Sequence, residues 1–326
     1  MRNRIVLTMG DPAGVGPEIC LKLLSSQTTD ALPVIIGDVG ELRRQSERLG
    51  LTLNIVEIDS PALSQPEQGK IEVVQAGCLP NPVTMGCVNA VCGQIAFDCV
   101  KKAIDLALSG EIDGIVTAPI NKAAMSEAGI TFPGHTEILA HYSNSEVAMM
   151  LANERLRVVL ASIHVSLREA IDDCSVVSQL YAIRLAQQGA KAFGIDNPRI
   201  AVAGLNPHAG ESGLFGREEI EIIAPAIETA KAEGIEVTGP WPGDTVFMQA
   251  REGRFDIVVA QYHDQGLIPI KYLGIAEGVN ITLGLPFVRT SPDHGTAFDI
   301  AGQNSSDESS MVYAYQQAQR LLGICE

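Results

Sequence analysis

Cations and aromatic rings are scarce in this chain of 326 residues: 23 Lys and Arg stand against 39 Asp and Glu, for a formal charge of −16, and Phe, Trp and Tyr make up 5%. Nonspecific attachment to nucleic acid or to anionic lipid is driven by clustered Lys and Arg, so this balance excludes both as general partners. An anionic ligand then needs a locally basic pocket. No stretch approaches the ~18 consecutive apolar residues of a spanning helix. The apolar run in "MRNRIVLTMGD" is too short for a secretory h-region, so a cytoplasmic location is the expectation. No C-x-x-C pair occurs among the seven cysteines, Cys20, Cys78, Cys87, Cys92, Cys99, Cys174 and Cys325. That absence argues against a local zinc knuckle or redox couple and for reduced thiols. Cys92 and Cys99 fall on one face of an expected helix, where small apolar side chains are usually buried. What remains is an ordinary globular composition, 46% hydrophobic and 19% charged, long enough for one large or two medium domains.

Two nucleotide fingerprints are missing as well. The segment "TMGDPAGVGPE", Thr8 to Glu18, follows the apolar run "RIVL" and carries three glycines. A Walker loop needs a lysine after its last glycine, and Pro17 stands there. The dinucleotide pattern beginning at Gly14 needs a third glycine where Ile19 stands. The segment therefore reads as a strand, a turn and a helix starting near Pro17, with Glu18 at the helix's positive end.

Short β-rich runs, "RIVLTM", "PVIIG", "DGIVTAP", "EVAMML", "RVVLASI", "RIAVAGL", "DIVVAQY" and "VNITLGL", alternate with amphipathic stretches such as Val88 to Leu108 and Val177 to Phe193. This is an α/β pattern with mostly parallel strands. "QNSSDESS", Gln303 to Ser310, reads as a polar surface loop before a last amphipathic helix. Nearly every strand runs into a polar cluster: "VTAPINK", "ASIHVS", "AGLNPHAGESG", "AQYHDQG" and "TLGLPFVRTSPDHGTAFD". Open α/β sheets bind ligands beyond the carboxyl ends of their strands, so these clusters are where the chemistry is expected.

Three of the six histidines, His164, His208 and His263, stand at the ends of expected strands. Imidazole is the commonest metal ligand, yet their spacing matches no local zinc signature, and a structural role for each stays open. Lys271, Asn280 and Arg289 lie in one stretch poor in other cations; they either build a field for phosphate or carboxylate or make surface ion pairs. In "FPGHTEILAHY", His135 and Thr136 follow a Pro-Gly turn at a helix start, where free N–H groups favour anions and Thr136 is also a candidate N-cap. Asp244 in "PWPGDTVF" is either an acid or base or a cap. Lys122 in "APINKAAM" is either a positioning cation or a solvated first turn of a helix.

Taken together, the blocks "GDPAGVGPE", "GITFPGHTE", "GLNPHAGE", "YHDQGLIPIKY" and "GVNITLGLPFVRTSPDHGTAFDIAG" resemble the 4-hydroxythreonine-4-phosphate dehydrogenases of vitamin B6 synthesis. That family also includes dehydrogenases of D-threonate and D-erythronate 4-phosphates. "HGTAFDIAG", His294 to Gly302, is similar to the adenosine-binding loop of isocitrate and isopropylmalate dehydrogenases. The resemblance implies their fold: two α/β domains with an active-site cleft between them. Residues 1–131 with 286–326 would form the cofactor side, and 132–285 the metal, substrate and dimerisation side, with crossovers near Thr131 and Leu285.

It further implies an NAD enzyme lacking the Rossmann fingerprint, with His294, Gly295, Asp299 and Gly14 toward the cofactor. Asp299 would accept the ribose hydroxyls and repel a 2′-phosphate, favouring NAD over NADP. His164, His208 and His263 would hold one divalent metal (zinc, magnesium, cobalt or manganese) at a homodimer interface. His135, Thr136, Lys271, Asn280 and Arg289 would bind the phosphorylated substrate, and Asp244 and Lys122 are candidates for proton transfer. The expected reaction is oxidation of the C3 hydroxyl of 4-hydroxy-L-threonine 4-phosphate followed by decarboxylation to 3-amino-2-oxopropyl phosphate. The D-threonate or D-erythronate 4-phosphates are the alternative, giving dihydroxyacetone phosphate. A three-histidine hydrolase and a noncatalytic phosphometabolite binder are the readings from other classes, and neither needs an adenosine loop.

Overall fold

The computed structural model describes residues 4–26, 33–274 and 278–324, so Cys325 lies outside the described residues. In chain order the first elements are β1 (Ile5–Thr8), α1 (Gly16–Ser26), β2 (Val34–Gly37), α2 (Val39–Arg48), β3 (Asn54–Glu57), β4 (Lys70–Gln75), α3 (Ala90–Leu108), β5 (Gly114–Thr117), α4 (Lys122–Glu127) and α5 (His135–Ser143). There follow β6 (Ala148–Ala152), β7 (Arg157–Leu160), α6 (Leu167–Asp172), α7 (Val176–Ala192), β8 (Ile200–Ala203), α8 (Ala224–Ala232), β9 (Val237–Trp241), α9 (Val246–Arg251), β10 (Ile257–Ala260), α10 (His263–Tyr272), β11 (Val279–Leu283), β12 (Val288–Pro292) and α11 (Ser309–Leu321). The class is α/β, and among the described residues no helix is long and apolar enough to cross a membrane.

The chain forms two compact units, Met1–Glu146 with Leu285–Glu326, and Val147–Gly284. The first crossover therefore falls after Glu146 and not near Thr131. The reason is aromatic packing: Phe97 of α3 stacks on Phe132 at 6.3 Å and meets Tyr142 of α5 edge-on at 5.8 Å, which keeps α5 in the first unit. His135 and Thr136 thereby share a unit with Arg289.

In the first unit six strands run in the order β3-β4-β2-β1-β5-β12. Every pairing is parallel. The residues of β1, β2 and β5 are buried throughout, as strands covered by helices on both faces must be. Cys20, Cys92 and Cys99 are buried in this unit, and burial pushes the Cys20 and Cys92 thiols up to about 12. The Gln303 to Ser310 segment is not merely a surface loop. Lys22 Nζ donates to the Ser306 carbonyl at 2.7 Å and to Glu18 at 2.9 Å, and Ser306 N–H donates to Glu18 at 3.1 Å, so the first turns of α1 clasp it.

In the second unit the order is β11-β6-β7-β10-β8-β9. Here β6 pairs antiparallel with both neighbours while β7, β10, β8 and β9 are parallel. Its core gathers Leu151, Val158, Leu160, Val258, Phe247 and Phe255 between the sheet and α9 and α10.

Candidate active site

Beyond the carboxyl ends of β1, β5 and β12, three loops of the first unit converge. Asp11 N–H donates to the Pro119 carbonyl at 2.9 Å, and Val15 N–H donates to the Thr296 carbonyl at 3.0 Å. Gly14 sits so close to Thr296 that a Cβ there would stand 3.0 Å from its Cβ and from its carbonyl oxygen. The "GDPAG" corner is thus built against the loop that carries His294, Gly295 and Asp299. On that loop Gly295 is exposed with open space around it, and Asp299 is exposed. His294 Nδ1 donates to the Gly295 carbonyl at 2.9 Å, while its buried Nε2 has no hydrogen-bond partner. An approachable backbone beside an unanswered ring nitrogen fits a nucleoside.

Asp11 is fully buried, with Oδ1 accepting from Ala13 N–H at 2.8 Å. Burial pushes its carboxyl up from 3.8 to about 6, against the lowering effect of that N–H. The folded protein therefore holds a proton that the unfolded chain has lost between about pH 3.8 and 6. This stability is complete below 3.8 and disappears as pH rises to 6. A shift of two units corresponds to roughly 3 kcal/mol. Asp11→Asn keeps the acceptor for Ala13 and removes the titration. Thermal midpoints measured from pH 4 to 7 should then decline less with pH in the variant than in the parent; identical slopes would refute the assignment.

Arg289 lies on β12 beside β5, 2% exposed, with Nη2 donating to Thr117 Oγ1 at 2.6 Å. Burial pushes its guanidinium down to about 9, with Glu137 opposing the shift. Glu137 and His135 belong to the first turn of α5, whose N-cap is Gly134 with no side-chain capping bond. Thr136 is therefore not the N-cap; it is the second helical residue, buried at 5%. His135 is held well below its ordinary value by burial first and by Arg289 second, so its ring is neutral at neutral pH. Its Nε2 is buried without a hydrogen-bond partner. Lys122, exposed at the start of α4, has Cε 3.9 Å from where a Gly134 Cβ would stand. A desolvated guanidinium, a neutral imidazole and a helix N-terminus without a side-chain cap, all within one unit, have the chemistry to suit an anion.

In the second unit, His164 follows β7 and His263 opens α10. Their ring centroids are 6.0 Å apart, and both line a cavity of about 260 Å³ with Ser162, Val165, Tyr262 and Asp264. Asp264 Oδ1 is 2.8 Å from His263 Nδ1, which fixes that ring and leaves Nε2 for a ligand. Two imidazoles and a carboxylate-oriented tautomer fit a divalent cation. His208 does not line this cavity, and among the described residues no group of three His, Cys, Asp or Glu stands ready to hold a metal.

His208 is exposed on an unusual turn. His208, Ala209, Gly210, Glu211, Ser212 and Gly213 all have positive φ, from 42° to 96°. For residues with a Cβ this region costs about 1–2 kcal/mol each. Lys271 lies exposed in the last turn of α10, and Asn280 on β11 is half-buried with Nδ2 2.9 Å from Met149 Sδ and Oδ1 buried. Asp244 is exposed in the turn after β9, and no capping bond from it appears among the described residues. One group carries no mark in the sequence patterns: Glu219, a 2%-exposed carboxylate whose oxygens both accept from Asn206.

The family model for "Pyridoxal phosphate biosynthetic protein PdxA" matches residues 29–318. A 4-hydroxythreonine-4-phosphate dehydrogenase of Beijerinckia indica is 55% identical over 97% of this chain and 94% of its own length. A D-threonate 4-phosphate dehydrogenase of Pectobacterium atrosepticum is 47% identical over 98% of this chain and 100% of its own. The crystal structure of a 4-hydroxythreonine-4-phosphate dehydrogenase from Klebsiella pneumoniae superposes with a TM-score of 0.88 at 45% identity, covering 98% of this chain and 99% of that one.

Proposed function

The chain belongs to the PdxA family and is an oxidoreductase acting on a CH–OH group, and from that premise we propose that it oxidises the C3 hydroxyl of 4-hydroxy-L-threonine 4-phosphate. The hydride passes to NAD, the proton to a base, and the resulting β-keto acid loses carbon dioxide to give 3-amino-2-oxopropyl phosphate. The observation that carries this reading is the buried Arg289 beside neutral His135 at the open N-terminus of α5. In a chain of charge −16, such a pocket is a specific investment in one anion.

Arg289, His135 and Thr136 take up the substrate's anionic oxygens, Arg289 through its fork and Thr136 through the helix N-terminus. Lys271 adds a positive charge, and Asn280 a donor and an acceptor. Neutral His135 is able to donate from Nε2 without adding a second buried charge. Asp244 at its carboxylate and Lys122 at Nζ, near the same helix terminus, are the two candidates for proton transfer, the first as acceptor and the second as donor. Binding the nonreacting end of the substrate tightly aligns the carbon from which hydride leaves. His164 and His263, with His208 of a second copy, would hold a divalent ion, zinc, magnesium, cobalt or manganese, which when bound would supply Lewis acidity toward the alcohol. Support for a homodimer lies in the exposed apolar side chains of the second unit, Val177 at 77%, Leu214 at 74% and Ile268 at 64%. His294, Gly295, Asp299 and Gly14 would hold NAD, which when bound would supply the hydride acceptor.

D-Threonate and D-erythronate 4-phosphates present the same phosphate and C3 hydroxyl, and a relative named for D-threonate 4-phosphate is 47% identical. One experiment decides: NADH formation and carbon dioxide release with each of the three acids in parallel, with divalent metal supplied. The highest kcat/KM is expected for 4-hydroxythreonine 4-phosphate. A higher value for D-threonate 4-phosphate would move the assignment to that substrate, and no NADH from any of them would sink it.

A further inference from the structure

We infer that Glu219 is a positioning residue whose buried carboxylate holds the left-handed turn presenting His208. The inference rests on the reading of His208 as a metal ligand and adds to it the group that sets the ligand's place.

The turn is a left-handed 3-10 coil tied at its ends by Ala209 N–H to the Asn206 carbonyl at 3.1 Å, Leu214 N–H to Glu211 at 3.2 Å and Phe215 N–H to Gly210 at 3.1 Å. Four of its positive-φ residues, His208, Ala209, Glu211 and Ser212, carry a Cβ that disfavours the conformation. Something outside the turn must impose it, and the first residue of the π-helical turn Glu219–Ile223 is placed to do so. Glu219 Oε1 accepts from Asn206 N–H at 2.7 Å and Oε2 from Asn206 Nδ2 at 3.0 Å, while Glu218 accepts from the same Nδ2 at 2.7 Å. Asn206 is the turn's entry residue. The carboxylate also backs its middle: a Cβ on Gly210 would stand 2.6 Å from Glu219 Oε2.

A side chain needed only for packing would be apolar here. A buried carboxylate answered by hydrogen bonds is costly to desolvate, and no Lys or Arg pairs with it among the described residues. π-Helical turns of this kind recur at functional sites. The carboxylate is retained, we argue, because two acceptors in one plane fix both the backbone and the side chain of Asn206, and with them the direction in which His208 leaves the chain.

The test compares the parent with Glu219→Ala, Glu219→Gln and His208→Ala by two readouts. One is amide hydrogen exchange of residues 206–213 in metal-free protein. The other is cobalt(II) affinity, titrated through visible absorption. Glu219→Ala should speed exchange across the turn by about tenfold or more and weaken cobalt binding by about 10- to 100-fold, as loss of a ligand-orienting partner does. Glu219→Gln keeps an acceptor for Asn206 N–H and should fall between; it carries the test if the alanine variant does not fold. If His208→Ala loses cobalt affinity and neither Glu219 variant does, the inference is overturned while the ligand reading stands. If His208→Ala binds cobalt like the parent, the ligand reading itself is overturned, and with it the role given to Glu219.

Discussion

Replacing Arg289 with methionine is expected to lower kcat/KM for the phosphorylated acid by about 10²- to 10⁴-fold, chiefly through KM. The side chain is 2% exposed and its guanidinium is pushed down to about 9 by burial, with only Glu137 opposing the shift. An incoming phosphate or carboxylate therefore meets a cation that has already lost its water. Removing one partner of a buried charge pair costs about 3–5 kcal/mol, and each 1.36 kcal/mol is tenfold in rate. Arg289→Lys should recover little, because an ammonium supplies a point charge in place of the fork that reaches Thr117 and the anion together. Steady-state kinetics on both variants, with inorganic phosphate as a competing anion, provides the check. Less than a tenfold change in KM, with phosphate inhibition retained, would remove Arg289 from the substrate site.

How much of this was readable beforehand follows from burial and periodicity. The strands found from apolar runs, such as β1, β2, β5, β8 and β10, are buried at every position. Those that escaped break that pattern for identifiable reasons. The edge strand β3 has exposed ends at Asn54 and Glu57, β9 contains Gly239 and Pro240, and β12 reads "VRTSP", polar although four of its five residues are buried. Its polarity comes from Arg289, Thr290 and Ser291, all buried, so the strand that carries the proposed anion ligand is also one that an apolar-run search misses. Clusters after strands are where the sequence places the candidate chemistry, and His263 proves to be the first residue of α10, not a strand end. The difference matters, since Asp264 then lies alongside to orient the ring.

The turn at His208 shows a second limit. "PHAGESG" contains two glycines and reads as an ordinary loop, yet six successive residues have positive φ. Local preference would not select that conformation for His208 or Glu211. It is imposed through Asn206 by a carboxylate eleven residues beyond His208 in sequence, at Glu219. Asp11 is similar: its side chain reads as a turn former in "GDPAG", and only the packing of three loops shows that it is fully buried. Tertiary context decides both, and no residue pattern within a few positions carries the information.

His263→Ala is expected to lower kcat by about 10³-fold or more, with most of the divalent-metal affinity lost. Lewis-acid stabilisation at a reacting oxygen supplies several kcal/mol, and roughly 4 kcal/mol corresponds to 10³ in rate. His263 is the residue to replace because its surroundings are explicit: Asp264 lies 2.8 Å from Nδ1, and the first turn of α10 holds the backbone. Losing a preoriented ligand removes both the bond and the orientation. Asp264→Asn offers a graded comparison, since an amide oxygen still accepts from Nδ1–H but more weakly than a carboxylate. Its metal affinity should fall by about 10- to 100-fold, with activity restored at saturating metal. His263→Ala should not be restored that way. Zinc or cobalt titration of the two variants, followed by kcat at each metal level, separates the cases. If His263→Ala keeps parental kcat in the presence of a chelator, the cavity shared by His164 and His263 is no metal site, and the reaction runs on the anion pocket and NAD alone.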